Sequence, residues 1–170
     1  MLADTFEQLG YAAESATWRN AYLFGAQELR LGMPKTPARP PMPRETLAAP
    51  RTGQLWDVLG VRLNGPKAEG KHIVLNWNFT DTKEKFVLTL ENCALTYADG
   101  MQAECADASF TLARGTLDEV IAKQTTFPEA VGAGKISVSG NPMRLAELMD
   151  LMDEFPRMFE IVEPKRTTVT

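Results

Sequence analysis

Histidine is nearly missing from this chain and cysteine is scarce. His72 is the one histidine, and Cys93 and Cys105 are the two cysteines. Their spacing matches no zinc pattern, so an ordinary zinc site lacks ligands. A disulfide across a hairpin and two unpaired, partly buried thiols both suit the cysteines, and spacing does not choose between them. His72 stands at the start of an expected strand, and spacing nominates no serine or cysteine to act with it. A Gly-rich phosphate loop is lacking too: Gly132-Ala133-Gly134 precedes a strand instead of opening a helix. Clustered Lys and Arg with interleaved aromatics are absent, and the net charge is −4, which together argue against nucleic acid. No run approaches the roughly 18 apolar residues of a membrane span. The first residues, MLADTFEQLG, carry early acids and no basic cluster, so they do not read as a secretion signal.

What the chain has is apolar periodicity. Apolar residues make up 44% of its 170 positions and charged ones 24%, ordinary for a folded protein, and the length suits one domain or one domain with an appendage. The clearest stretch is Gly134 to Phe155. Ile136 and Val138 alternate with Ser137 and Ser139, the period of a half-buried strand. Gly140-Asn141-Pro142 breaks that strand. Asn141 can cap a helix through its side-chain oxygen, and Pro142 suits the first helical position. Leu145, Leu148, Met149, Met152 and Phe155 then recur at three- and four-residue steps, opposite Glu147, Asp150 and Glu154. This predicts a helix that Pro156 stops. Met143, Met149 and Met152 give it an adaptable apolar face. Such a face either fills a core or lines a cavity for an alkyl or acyl chain.

Residues 1–32 predict two helices. Leu2, Phe6 and Leu9 space the first, ended by Gly10; the second starts near Ser15 and carries Trp18, Tyr22, Ala26 and Leu29 on one side. Short helices with this much aromatic surface do not stay folded alone, which makes Trp18, Arg19, Tyr22 and Leu29 interface candidates. Residues 33–49 read as a semi-rigid linker, since the run from Met33 to Pro50 holds six of the eleven prolines. A Pro-rich ligand for an SH3-type module is the functional alternative for that run.

A third domain-like segment, 50–170, begins with a helix from Gln54 to Leu63, striped by Leu55, Val58, Leu59 and Leu63. Asn64-Gly65-Pro66 closes it, with Gly65 as a left-handed cap. Strands follow: His72 to Phe79 with Ile73, Leu75, Trp77 and Phe79 on one face, then one with Phe86, Leu88 and Leu90 inward, then Leu95 with Tyr97, then Ala108 with Phe110 and Leu112. Gly115-Thr116 opens a helix with a Thr116/Glu119 capping box and a buried side of Leu117, Val120 and Ile121. Asp118, Glu119, Asp150 and Glu154 fall on expected solvated faces. Acids near a helix start have a structural role there and are not nominated for acid–base work. Phe127-Pro128-Glu129 leads to the last strand. Tight turns between strands imply a mainly antiparallel sheet of about five strands covered by helices, an α+β fold.

Two stretches resemble a known family. LADTFEQLGYAAESATWRNAYLFGAQELRLG is similar to the end of the dimerisation region of bacterial alkyl sulfatases, hydrolases with a metallo-β-lactamase-type zinc domain. LWDVLGVRLNGPKAEGKHIVLNWNFTD and GKISVSGNPMRLAELMDLMDEF resemble their C-terminal domain, which is similar in turn to sterol carrier protein type two, with its apolar lipid tunnel. The family's HxHxDH zinc motif has no counterpart here, so no catalytic or metal residue carries over. The resemblance therefore implies the non-catalytic portion of such an enzyme, with zinc expected only in the catalytic domain. It implies a long-chain apolar ligand (an alkyl sulfate, alcohol or fatty acid), and either a homodimer or association with that catalytic domain. An exported enzyme would place the chain in the periplasm or outside the cell, and otherwise it would be cytoplasmic. The expected lining is Trp77, Phe79, Phe86, Leu88 and Phe110 from the strands and Leu148, Met149, Met152 and Phe155 from the last helix. The alternative is a structural assembly domain with a filled core and no ligand.

Overall fold

Strict alternation of apolar and polar residues builds a five-stranded sheet. In the computed structural model, which describes residues 1–33, 46, 49–155 and 159–162, the strands are β1 (Ile73–Phe79), β2 (Lys85–Glu91), β3 (Ala94–Asp99), β4 (Ala108–Leu112) and β5 (Ile136–Gly140). They lie in the order β3-β2-β1-β4-β5. Three of the four pairings are antiparallel, and β1 with β4 is parallel. The α+β class holds, with one crossover that the tight-turn reading did not contain. A buried polar side chain explains it. Asn76 donates to the Ala103 carbonyl and accepts from the Ala103 amide, both at 2.9 Å, which fastens the β3–β4 connection to β1. The connection then delivers Asp107 to Val74, whose N–H donates to the Asp107 carboxylate at 2.8 Å. From there the chain enters β4 alongside β1.

One face of the sheet makes the core: Ile73, Leu75, Trp77 and Phe79 from β1, Phe86, Leu88 and Leu90 from β2, Phe110 and Leu112 from β4 and Ile136 from β5 are buried. This is the alternation read from the sequence, because side chains two residues apart share a face. The helices of this unit are α3 (Thr52–Arg62), α4 (Arg114–Ile121), α5 (Phe127–Gly132) and α6 (Met143–Asp150), with a 3₁₀ turn at Pro66–Ala68.

Several local expectations give way here. Val58 is exposed and Trp56 is buried instead, so the stripe of α3 runs through Thr52, Trp56, Leu59 and Leu63. Gly65 has a right-handed backbone, φ −54°, and is no left-handed cap. Thr116 lies buried inside α4. The carboxylate of Asp81 caps that helix, accepting the Arg114 N–H at 2.8 and 3.0 Å. Asp118 is buried rather than solvated, 3.0 Å from the Arg114 guanidinium one turn away. The capping box falls instead at α5, where the Glu129 N–H donates to Thr126 Oγ1 and the Thr126 N–H to Glu129 Oε2. Cys93 and Cys105 are free and exposed, so neither the disulfide nor partial burial applies. Cys93 follows Asn92 in the two-residue turn between β2 and β3, both with positive φ.

The last helix is shorter than its periodicity. Asn141 Oδ1 accepts the Met143 N–H at 3.0 Å as expected of a cap, but α6 ends at Asp150. Backbone pairing to the end of α3 stops it. The Asn64 N–H donates to the Leu151 carbonyl and the Asp153 N–H to the Arg62 carbonyl, with Met152 opposite Leu63. Pro156, expected to do this, lies outside the described residues.

The other unit comprises Met1–Ala38 together with Phe155–Thr170, so the described residues from Phe155 onward cluster with the helices rather than with the sheet. Glu28 accounts for this: its carboxylate accepts the Ile161 and Val162 N–H groups at 2.8 and 3.1 Å. The helices are α1 (Leu2–Ala12) and α2 (Ala16–Leu31). They run antiparallel, since Arg30 near the end of α2 reaches Asp4 and Glu7 at the start of α1. Gly10 does not end α1. It sits inside the helix where Leu23 packs, and a Cβ there would meet Leu23 Cδ2 at 2.7 Å. The linker expected over 33–49 lies almost wholly outside the described residues.

Candidate functional site

Four helices cross the apolar face of the sheet without closing over it, and a cavity of about 620 Å³ remains between them. The sheet contributes Trp77, Leu88 and Val138 to its wall. From α3 come Leu55, Trp56 and Leu59, and from α4 Leu117, Val120 and Ile121, each set at helical three- and four-residue steps. Phe127, Pro128 and Val131 of α5 form another side, and Met143, Leu145, Ala146 and Met149 of α6, with the preceding Pro142, complete it. Among the described residues no charged side chain lines the cavity. Ile121, Val131, Met143 and Met149 are 37–66% exposed, which puts them at the rim.

Of the residues expected to line a cavity, Trp77, Leu88 and Met149 do so. The other six do not, for reasons of packing. Phe79 and Phe86 meet edge to face at 6.2 Å beneath Trp56. Phe110 is sealed by Trp77 at 4.8 Å and Phe127 at 5.5 Å. Leu148 is fully buried in the core, and Met152 packs against it beside Leu63. Phe155 is exposed and falls in the helical unit. The residues missed are mostly on α3, α4 and α5. The Thr126-Phe127-Pro128-Glu129 run carried a legible helix start in its capping box, and the Thr52/Trp56/Leu59 spacing a legible second stripe.

Charged groups outside the cavity hold its walls. Arg144 at the start of α6 donates to Asp107 at 3.0 Å, to Glu147 at 2.7 Å and to the His72 carbonyl at 2.9 Å, while Lys71 meets Glu147 at 2.7 Å. Burial opposes ionisation of Asp107, but the Val74 N–H and Arg144 hold its carboxyl below the ordinary value. Lys71 and then Arg144 lower Glu147 likewise. Lys135 ahead of β5 meets Glu119 of α4 at 3.0 Å. Among the described residues no three His, Cys, Asp or Glu side chains converge as a metal site would require. No helix among them is long and apolar enough to cross a membrane.

In the helical unit, Trp18 is exposed and stacks obliquely on half-buried Tyr22 at 5.9 Å. Arg19 donates to the Ala13 carbonyl at 2.8 Å, closing the turn from α1, and Leu29 is half-buried.

Known proteins agree with this architecture. The family described as alkyl sulfatase C-terminal matches residues 40–164, and that described as alkyl sulfatase dimerisation matches residues 1–32. The chain belongs to the alkyl sulfatase C-terminal family. It is 48% identical over 164 residues to the alkyl/aryl-sulfatase BDS1 of Saccharomyces cerevisiae, covering 96% of this chain and 25% of that protein. The linear primary-alkylsulfatase of a Pseudomonas species is 47% identical, with 96% of this chain and 24% of that protein covered. Among solved structures, the stereoselective inverting sec-alkylsulfatase Pisa1 from Pseudomonas sp. superposes with a TM-score of 0.81 at 39% identity, over 95% of this chain and 25% of that one. The chain thus spans about a quarter of the length of the alkyl sulfatases it matches, and the match falls on their dimerisation and C-terminal parts.

Proposed function

We propose that the strand-rich unit is a non-catalytic module that binds long alkyl chains and recruits the aliphatic tail of alkyl sulfate esters for a sulfatase. Sulfate ester hydrolysis and its zinc belong, in this reading, to a metallo-β-lactamase-type catalytic domain with which the chain associates. The helical unit joins two copies, with Trp18, Arg19, Tyr22 and Leu29 at the contact. One observation carries most of the weight: a cavity of about 620 Å³ walled by apolar side chains and bounded by four helices. That volume lies within the usual range of small-molecule sites.

Shape and apolar area suffice for such a ligand. Burying a methylene contributes about 0.8 kcal/mol, so a dodecyl tail gains roughly 10 kcal/mol gross. Association and ordering remove at least about 4 kcal/mol of that, leaving at most about 6 kcal/mol and a dissociation constant between about 40 μM and 1 mM. Dodecyl sulfate or a fluorescent fatty acid is expected to bind in that range by equilibrium titration. Met149→Asp places a charge on the rim at a side chain that is already 41% exposed. It should weaken binding at least about ten-fold and leave the unfolding midpoint unchanged. Absence of binding at millimolar ligand, or full binding by the variant, overturns the reading in favour of a structural domain.

A further inference from the structure

Two features of α2 are unfavourable for a helix by itself. Gly25 stands in its interior, where glycine is a poorer helix former than alanine. Glu28 is a carboxylate only 7% exposed, and it lies in the last turn, where negative charge meets the negative end of the helix dipole. One segment from the far end of the sequence answers both. Val162 packs so closely on Gly25 that a Cβ there would come within 3.0 Å of Val162 Cγ2 and 3.1 Å of Phe6 Cδ2. The chain bends at Ile161 and Val162, and their successive N–H groups donate to the two Glu28 oxygens at 2.8 and 3.1 Å. Bonds from N–H groups to an ionised carboxylate are among the strong ones.

Where the segment docks matters as much as how. Trp18, Tyr22, Gly25 and Leu29 follow at four-, three- and four-residue steps, so they share one stripe of α2. Val162 therefore lies on the stripe that carries the candidate contact residues, at the step between Tyr22 and Leu29. Beside it, Phe159 and Ile161 are 63% and 45% exposed.

We propose that residues 159–162 are part of the surface by which two copies of this chain associate, held in place by Gly25 and Glu28. The inference rests on the reading that the helical unit joins two copies, and it adds that the contact is built from both ends of the sequence. A second copy that reaches the stripe at Trp18 and Tyr22 also meets Phe159 and Ile161, whose apolar side chains enlarge the area it covers. With the segment displaced, Glu28 would lose two donors and Gly25 would leave bare backbone on the stripe. The helical unit thus pairs only with its chain end docked.

The test removes the two donors in the full chain. Proline has no N–H, so Ile161→Pro/Val162→Pro deletes both bonds to Glu28. Sedimentation equilibrium should show the dimer dissociation constant raised at least about ten-fold, roughly the worth of one hydrogen bond to a charged group. Amide exchange should quicken in α2 while β1 and β4 keep their rates. A synthetic peptide of residues 155–170 should restore both properties, and the same peptide N-methylated at Ile161 and Val162 should restore neither. Association unchanged in the variant overturns the proposal, whether or not α2 exchanges faster, and so does a peptide without effect. Should the double variant not fold, Phe159→Ser/Ile161→Ser alters only exposed side chains and leaves the Glu28 bonds in place. It too should weaken pairing about ten-fold, and parental affinity would overturn the proposal. A parent chain that stays monomeric removes the pairing of copies and this inference with it, whereas a dimeric parent indifferent to these changes removes only the role of the segment.

Discussion

Gly140 shows how much one residue can hold. It ends β5 with φ +87°, and a Cβ there would run into the Asp107 carbonyl oxygen and sit 3.0 Å from Ala108 Cα. Backbone stands in the way on the neighbouring strand, so no rotamer change relieves the clash. Gly140→Ala is expected to destabilise the strand-rich unit by about 2–3 kcal/mol, combining left-handed strain with displacement of β4. An unfolding midpoint in urea equal to that of the parent would refute this. The sequence showed Gly140 as a strand breaker, but its tightness against Asp107 depends on a pairing between segments about thirty residues apart. Trp56 makes the complementary case. Its helix carries two superposed apolar spacings, and only contact with Trp77 and Phe86 selects the one through Trp56 over the one through Val58.

At the scale of elements, the cavity depends on short helices that propensity alone does not sustain. The helix α5 has six residues, and its start is held by the reciprocal Thr126–Glu129 bonds. Thr126→Ala removes the hydroxyl acceptor and should lower stability by about 1 kcal/mol, the ordinary worth of an N-cap. Because α5 carries Phe127 and Val131 to the cavity wall, the same change should speed ligand release in stopped-flow fluorescence. Release at the parental rate together with unaltered stability would show that the cap is idle. Strand identities, inward faces and the start of α6 were legible because each is a local period or a local cap. The end of α6 was not, since pairing to Arg62 and Asn64 stops it.

For the whole molecule, the carboxylates that fasten the cavity's helices set a common acid limit. Burial alone would raise Asp81 and Asp107, yet the Arg114 and Thr82 N–H groups hold the first down, and the Val74 N–H with Arg144 the second. Glu129 is lowered chiefly by the Thr126 N–H, and Glu147 chiefly by Lys71. A carboxyl whose folded value lies below its unfolded value adds stability that is present above the unfolded value, about 3.9 for Asp and 4.3 for Glu, and lost as pH falls through the folded one. Stability in urea should therefore change little in this respect between neutrality and about pH 5, then decline below it. Affinity for an uncharged long-chain alcohol should fall over the same interval as α6 loses its Arg144 tether. Stability that holds through pH 3 would remove these four groups from the account.

The sequence by itself determined the sheet's inward residues, the α+β class and the family, because alternation, capping and the WRNAYLFGAQELR run are local patterns. It did not determine which inward residues face open space. A side chain on the apolar face lines a cavity or fills the core according to where a helix crosses above it. That crossing is decided by contacts among α3, α4, α5 and α6 that no local period encodes. Hence Trp77 meets the cavity while Phe79, on the same strand and the same face, lies under packed aromatic rings.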